Sequence, residues 1–552
     1  MGTLATSFGE RIAAGLRRRA VTTPSRWAMA YRVMGKPFPG AFSFHWHPWL
    51  RGMHDSTAPE NSGQKSAQAG FTETMLNLAF FTNDVKGQDV LYALPNKSPD
   101  ASDFSASRFD PALALSPHLK ALYSDVNNVG HKRAGSANLF VRGSQSKAGF
   151  KSIPTGLIIL DEVEEMNQEN IPLVYERLSG QIEKMLWAIS TASVSGHGIN
   201  KIYVESSQEH FFFPCPSCNK LIELDFPKSI VITAESLDDP RINDTHLICY
   251  ECKATLDHKK KPEFLAPGIW VPKIPSRVKE HRGFHINQLY SSTVSPLEIA
   301  KAFFKGKKDQ TAEQEFYNSK LGVPHEVQGS RISDKDLDDC IGDHLSLSNV
   351  NHPDRIITMG VDQGRQIHVS ICDWRLGTFR GNDVNSRALA RLLAHFTVSS
   401  FEELDQLMTR FRVNYCVIDA HPERRSAFAF SQRFFGFVSL CFYGNGVNGK
   451  DIHQSSSDVG EPTITVDRTS WMDASLGRFK SSTKTISLPR DLSAEYREHL
   501  KAPVRIYRND QNGNPVGRYV NDRPDHYAHA QTYCEIAFAL AATAAGHEDI
   551  TG

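Results

Sequence analysis

The sequence predicts an α/β protein of two or three domains, and three observations carry that prediction. The chain has 552 residues, enough to bury several cores. Short apolar runs end abruptly in carboxylates: Leu157 to Leu160 before Asp161 and Glu162, and Tyr415 to Ile418 before Asp419. Such runs read as buried parallel strands whose C-terminal ends lie at the lip of a sheet, where α/β proteins bind ligands. A loop of small residues, Gly63 to Gly70, also leads into an apolar helix, Met75 to Phe81.

Lysine plus arginine equals aspartate plus glutamate, 62 each, which argues against a wholesale nucleic-acid coat but leaves room for a local basic groove. No run of apolar residues is long enough for a membrane span, so no membrane association is expected. The arginine cluster Arg17 to Arg19 has no apolar core after it, so it is not read as a secretory signal. Nine cysteines, four of them in two close pairs, point to a reducing compartment and a metal site.

Residues 1–40 read as a leader, with a helix over Phe8 to Arg19 and a Pro/Gly-rich connection. The aromatic stretch Phe42 to Trp49 offers either a surface for stacking a purine or a packed corner. In the loop that follows, Lys65, Ser66, Ala67, Gln68, Ala69, Gly70, Phe71 and Thr72 form an anion cradle opening a helix. Measured against the phosphate-loop pattern, Gly70 and Thr72 fit the second glycine and the Mg²⁺-binding hydroxyl. Phe71 stands at the usual lysine position, and Lys65 stands at the first-glycine position with a stem long enough to reach the β- and γ-phosphates. Strands are expected over Asp89 to Leu94 and Leu139 to Gly143, followed by a basic loop with Lys147 and Lys151. The acids of the central run then suit an NTPase: Asp161 holds a hydrated Mg²⁺ and Glu162 polarises the attacking water.

Glu164 to Gln181 reads as a polar helix, and Met185 to Ser193 as a strand ending in small hydroxyl residues. Ser190, Thr191, Ala192 and Ser193 are the candidates for sensing the γ-phosphate and passing on hydrolysis. Cys215, Cys218, Cys249 and Cys252 form two C-x-x-C knuckles, the pattern of a structural zinc ribbon. The polar stretch Val323 to Pro353 reads as a hinge into a further domain. There, a strand ends at Asp362 before a tight turn, another ends at Asp419, and Asp525 is expected on the first turn of a C-terminal helix. Two strand-borne carboxylates and one helix-borne carboxylate suit a two-metal site for phosphodiester hydrolysis with Mg²⁺ or Mn²⁺. His526 and His529 are candidate assistants, and Lys480, Lys484, Arg490, Arg505, Arg508 and Arg518 a phosphate track.

This order of parts resembles the large terminase subunit of tailed bacteriophages, lambda-type branch, over roughly residues 40–545. The matching stretches are Lys65 to Thr72, Leu157 to Glu162, Ser190 to Ser193, Gly283 to Tyr290, Asp362, Asp419 and Asp525. The resemblance implies an N-terminal P-loop ATPase domain with a zinc-ribbon insertion and a C-terminal RNase H-like nuclease domain. The corresponding ranges are 1–40 for the leader, 41–205 for the ATPase, 206–265 for the ribbon, 266–350 for a lid or linker and 351–545 for the nuclease. It further implies ATP, Mg²⁺ or Mn²⁺ and Zn²⁺ as cofactors, and action in the host cytoplasm. The implied partners are double-stranded DNA, the portal protein of a procapsid, a small terminase subunit and further copies in a ring. One such neighbour would supply the charge-stabilising arginine that the loop lacks. Two other readings fit the same motifs: a DNA helicase or repair translocase with an appended nuclease, and a non-enzymatic zinc-ribbon DNA adaptor.

Overall fold

The computed structural model describes residues 22–145, 155–178, 180, 182–347, 355–376, 388–444, 447, 449–456, 460–480, 484–509 and 515–544. The leader helix, Lys147 and Lys151 lie outside them. The chain divides into two units, Met1–Glu326 and Val327–Gly552, and the division falls inside the polar stretch read as a hinge.

The first unit is built on seven parallel strands: β1 (Glu60–Lys65), β2 (Val90–Leu94), β3 (Ala137–Gly143), β4 (Leu157–Asp161), β5 (Met185–Ser190), β6 (Glu209–Pro214) and β7 (His281–Ile286). Their order across the sheet is β6-β7-β1-β5-β4-β2-β3. Antiparallel pieces finish both edges, the hairpin of Val126–Asn128 and His131–Ala134 beside β3, and Leu221–Ile222 and Ile269–Pro272 beside β6. β2 and β4 are buried throughout, as near-continuous apolar strands of a covered parallel sheet must be.

β1 is the exception. Glu60–Lys65 is polar in sequence yet sits mid-sheet, and all but its first residue are buried. Its side chains are hydrogen-bonded, which offsets the cost of burying them. The Ser56 hydroxyl donates to Asn61 Oδ1 at 2.6 Å, and Asn61 Nδ2 donates to the Ala58 carbonyl at 2.8 Å. Gln64 donates to the Gly322 carbonyl and accepts from Asn200, both at 2.9 Å. Gly63 is required because an added Cβ would lie 2.7 Å from the Phe71 ring.

The sheet therefore takes in residues that the resemblance assigns to the ribbon (Glu209–Pro214) and to the lid or linker (His281–Ile286). The polar helix expected over Glu164 to Gln181 is instead a series of short turns around one five-residue helix, Ile171–Tyr175. Pro172 cannot donate into a preceding turn, so a helix can only restart there. The three short strands Ile230–Val231, His246–Ile248 and Thr255–Leu256 form an antiparallel sheet of their own within the insertion that carries the cysteine pairs.

The second unit holds β8 (Ile356–Asp362), β9 (Ile367–Leu376), β10 (Ala388–Val398), β11 (Tyr415–Asp419), β12 (Val438–Tyr443), β13 (Ile452–Ser456), β14 (Pro462–Val466) and β15 (Ile486–Ser487). Their order is β13-β14-β12-β11-β8-β9-β10-β15. β8, β9 and β10 form an antiparallel meander, and β11 and β12 add parallel to β8 on its other side. This 3-2-1-4-5 arrangement of β10-β9-β8-β11-β12 is the RNase H-like topology. Helices Phe401–Phe411 and Arg424–Arg433 bury Leu404, Phe411 and Phe430 with Met359 and Val361 of β8. The C-terminal helix α1 (His526–Ala544) packs directly on β8, where a Cβ at Gly360 would strike the Ala530 carbonyl at 2.0 Å.

Candidate active sites

In the first unit, the residues read as a phosphate loop divide between strand and turn. Lys65 ends β1, Ser66, Ala67, Gln68 and Ala69 turn, and Gly70 (φ +82°) starts the helix Phe71–Phe81 that carries Thr72. The left-handed backbone at Gly70 favours glycine, and a Cβ there would also lie 2.8 Å from Leu50. Neighbouring groups brace the turn. Trp49 donates to the Ala69 carbonyl at 3.0 Å, Gln288 to the Ala67 carbonyl at 2.8 Å, and the Ser66 and Ala67 amides to Ile286 and Ser319 at 2.9 and 2.8 Å. Trp49 is therefore a packed residue beneath the loop, and Gln288 gives the Gly283 to Tyr290 stretch a place at it. Trp46, by contrast, is partly exposed and stacks on Phe38 at 5.1 Å.

Sheet order brings the acids to the loop. β4 and β1 flank β5, so Asp161 and Glu162, Lys65, and Ser190 emerge at one edge. Lys65 Nζ donates to Glu162 Oε1 at 2.9 Å. Burial opposes the charge on Lys65, but the carboxylates of Glu162 and Asp161 outweigh it and raise its pKa. Burial and the Glu162 charge push Asp161 up to about 6, against the pull of Lys65, Tyr92 and Thr72. Tyr92 donates to Asp161 Oδ2 at 2.6 Å, whereas Oδ1 and the Ser66 hydroxyl are buried without a hydrogen bond. An orphaned carboxylate oxygen near the helix-borne Thr72 hydroxyl is a donor set that fits Mg²⁺.

Glu162 adopts φ +63°, a conformation costly for a side-chain-bearing residue and characteristic of functional turns. The Ser190 hydroxyl donates to Glu162 Oε2 at 3.1 Å and accepts from the Glu164 amide at 3.3 Å. Thr191 is half-buried, and Ala192 is core. Ser193 is held through Glu164, a residue that sequence reasoning misses. Its buried carboxylate accepts the Ser193 amide and hydroxyl and the Ile199 amide, the two amides at 3.0 Å. The signal is a third acid in the run Asp161-Glu162-Val163-Glu164, absorbed into an expected polar helix.

The four ribbon cysteines bring their sulfurs together, with Cys215–Cys252 at 3.9 Å and Cys218–Cys249 at 4.0 Å. A tetrahedron of thiolates about 2.3 Å from an ion has edges of about 3.8 Å, so this quartet fits a structural zinc site.

In the second unit, parallel pairing of β8 and β11 sets Asp362 and Asp419 side by side at neighbouring strand ends. Burial and the Asp362 charge push Asp419 up to about 6, against the His421 amide, which donates to it at 3.1 Å. Asp525 lies just ahead of α1, where its carbonyl accepts from the Ala528 and His529 amides. Its Oδ2 faces His529 Nε2 at 3.3 Å. Burial works to raise its pKa, but His529, Arg468 and His526 hold it below the usual carboxylate range. Histidines link it to the other acids: His526 Nδ1 lies 2.9 Å from Asp362 Oδ2, and His529 faces both Asp525 and the Asp419 environment. Among the described residues, the acids do not form one tight trio. The group of close ligand atoms that includes Asp362 is completed by His368 and His526. Sequence reasoning misses His368 because it lies in an ordinary strand pattern, and only pairing across the turn sets it opposite Asp362.

The expected phosphate track is largely neutralised within the unit. Lys484 pairs with Asp339 at 3.0 Å, Arg490 with Asp343 at 2.8 Å and Arg505 with Asp473 at 2.7 Å. Lys480 donates to the Gly329 carbonyl, Arg518 is engaged, and the Arg508 side chain lies outside the described residues.

The two units thus define a class: a phosphate-loop ATPase joined in one chain to an RNase H-like nuclease. The family model "Phage terminase large subunit gpA, ATPase domain" matches residues 36–270, and "Terminase large subunit gpA, endonuclease domain" matches residues 281–428. Together they take in more than two thirds of the 552 residues, and the chain belongs to the gpA family of phage terminase large subunits. It is an ATPase and a DNA endonuclease that packages DNA with the energy of ATP and cuts it, using divalent metal. β7 falls within the endonuclease match, although it belongs to the ATPase sheet.

Among solved structures, the large terminase of bacteriophage HK97 is similar at 10% identity and a TM-score of 0.44, covering 94% of this chain and 100% of that one. The large terminase of a thermophilic bacteriophage, solved in complex with ADP, is similar at 11% identity and a TM-score of 0.31, covering 89% and 96%. The large terminase nuclease of thermophilic phage G20c gives 13% identity and a TM-score of 0.21, covering 37% of this chain and 97% of that one. No curated protein matches the sequence. No helix among the described residues is long and apolar enough to cross a membrane.

Proposed function

We propose that Lys65, Thr72, Asp161 and Glu162 are the ATP-hydrolysing residues and that Asp362, Asp419 and Asp525 serve DNA cutting. The ATPase assignment rests on one observation: Lys65 and Glu162, ninety-seven positions apart, meet at 2.9 Å beside Asp161. Thr72 and Asp161 would hold Mg²⁺, which neutralises phosphate charge when bound. Residues Gln68 to Phe71 would present backbone N–H groups to the phosphates, since the Ser66 and Ala67 amides are taken up by Ile286 and Ser319. Lys65 leaves Glu162 to contact the β- and γ-phosphates, and its release frees Glu162 to orient the attacking water. Ser190 keeps the Glu162 carboxylate at the sheet edge during that exchange, and Ser193, through Glu164, ties its position to the rest of the unit.

In the nuclease, Asp362 and Asp419 would hold the divalent ions that activate water and stabilise the leaving oxygen. Asp525 orients His529 and His526 rather than binding ions with the pair. The cysteine quartet holds structural Zn²⁺, as its sulfur spacing supports. Family membership supports double-stranded DNA as substrate. It equally supports a portal protein and a small terminase subunit as partners, a homo-oligomeric ring during packaging and action in the host cytoplasm.

The test is Glu162→Gln beside Lys65→Ala, read by phosphate release and by binding of a fluorescent ATP analogue. Glu162→Gln keeps nucleotide binding and loses about 10²–10⁴-fold in turnover, the usual worth of a general base. Lys65→Ala weakens both. Wild-type turnover by Glu162→Gln overturns the assignment.

A further inference from the structure

A second group of close ligand atoms lies beside the nuclease acids: His368, Glu495 and His499. The three residues come from two elements. His368 is the second residue of β9, set opposite Asp362 by antiparallel pairing. Glu495 and His499 lie four apart on the helix Ala494–Lys501, so both project from one face. Glu495 Oε1 is 3.7 Å from His368 Nε2, and the His368 and His499 rings are 5.4 Å apart with planes tilted by 60°.

Two features set this group apart from a packed histidine cluster. His368 and His499 are 3% and 8% exposed, and Nδ1 of each is buried without a hydrogen-bond partner. Buried imidazoles with an orphaned nitrogen cost stability unless water or an ion reaches the ring, and the His368 nitrogen turned toward Glu495 is Nε2. The second feature is ring geometry. His368 stacks on His526 at 4.5 Å with an interplanar angle of only 11°. A metal binds imidazole in the ring plane, so two nearly parallel stacked rings cannot aim at one ion. The tilted rings of His368 and His499 can converge, with the half-exposed Glu495 closing the third position and water completing the shell.

We infer that the nuclease unit has a histidine-based divalent-cation site formed by His368, Glu495 and His499, distinct from the carboxylate pair Asp362 and Asp419. Its two nitrogen donors and single carboxylate select a first-row transition cation such as Mn²⁺ over Mg²⁺, which prefers an oxygen shell and gives up water reluctantly. The bound ion places positive charge beside Asp362, whose strand partner is His368. The inference does not depend on which acids cut DNA.

The test uses the full chain, stripped of loosely bound metal and titrated with Mn²⁺ alone. Electron paramagnetic resonance counts free against bound ion, and pulsed measurements detect ¹⁴N coupling from coordinated imidazole. Manganese also avoids the cysteine quartet, since thiolates select softer ions. The wild type is expected to bind a nitrogen-coupled Mn²⁺ that a large excess of Mg²⁺ does not displace. Glu495→Gln, on an exposed position that cannot unfold the core, weakens that ion by about tenfold or more. His499→Gln removes its nitrogen coupling. Asp419→Asn retains the nitrogen-coupled ion while losing an oxygen-ligated one, so failure of the carboxylate assignment shows as a separate result. Absence of ¹⁴N coupling in the wild type overturns the inference. So does coupling unchanged in both Glu495→Gln and His499→Gln, which would assign the ion to Asp362 and His526.

Discussion

Replacing Ser190 by alanine tests the ATPase site through the hydroxyl that holds Glu162. The hydroxyl makes two contacts, donating to Glu162 Oε2 at 3.1 Å and accepting from the Glu164 amide at 3.3 Å. Lys65 also holds Glu162, and in the proposed cycle that contact opens when Lys65 turns to phosphate. Ser190 would then keep its hold during hydrolysis on a residue whose φ of +63° already strains the backbone. A hydrogen bond to a charged group is worth about 1.5–3 kcal/mol, so its loss should lower kcat by about 10–150-fold. The KM for ATP should change little, because nothing that binds nucleotide is removed. The orphaned Glu164 amide adds about 1–3 kcal/mol of destabilisation, read as a lower Tm. Ser190→Thr, which keeps the hydroxyl, should restore most of the rate, and Thr191→Ala should leave it unchanged. Phosphate release at saturating ATP measures all three. A Ser190→Ala turnover within about twofold of wild type would falsify the proposed hold on Glu162.

Asp362→Asn should abolish plasmid nicking while ATP turnover on the same preparation stays intact, since the carboxylate belongs to the other unit; normal cutting by this variant ends the nuclease assignment. Asp419, raised to about 6, should bind Mn²⁺ more tightly as pH climbs from 5 to 7, and a flat titration contradicts its role as ligand. The sign of its effect on stability is opposite. A folded pKa above the unfolded value favours the protonated form, so its charge costs stability as pH rises from about 4 through about 6. Without metal, Asp419→Asn should therefore raise Tm at pH 7, by an amount corresponding to about 3 kcal/mol. Elemental analysis should find about one Zn²⁺ per chain, and Cys249→Ser should lower both zinc content and Tm; zinc-free protein of normal stability excludes the ribbon site.

Legibility in the sequence follows the physics of each element. β4 and β11 are readable because a strand buried on both faces must be continuously apolar, and the acids that end them break the run. β1 reads as loop because Glu60–Lys65 carries no apolar signal; its burial depends on partners such as Asn200 and Gly322, far away in sequence. β7 is hidden in the same way, since only pairing with β1 and β6 reveals that His281–Ile286 is core. At the nuclease site, strand ends predict the adjacency of Asp362 and Asp419. No spacing rule brings His368 to Glu495 and His499, although the i, i+4 pair on one helix is itself readable.

The last stretch of the first unit, Gln310–Leu321 and the residues to His325, contacts both the phosphate loop and the hydroxyl-ended strand. On one side, the Ser319 carbonyl accepts the Ala67 amide at 2.8 Å, and the Gly322 carbonyl accepts Gln64 at 2.9 Å. On the other, the Ser193 carbonyl accepts from Asn318 and from the His325 amide, both at 2.9 Å, and from Gln314 at 3.3 Å. The approach is too close for slack, since a Cβ on Gly322 would lie 2.6 Å from the Ser66 nitrogen. A packed segment pinned to two catalytic elements cannot follow both if they move apart; it shifts as a body or breaks contacts on one side. Under the proposed assignment, phosphate binding would act on the loop contacts, and rearrangement of Glu162 would act on Ser190 and, through Glu164, on Ser193. The stretch would therefore register the difference between the two, and the chain runs from it into the second unit at Val327.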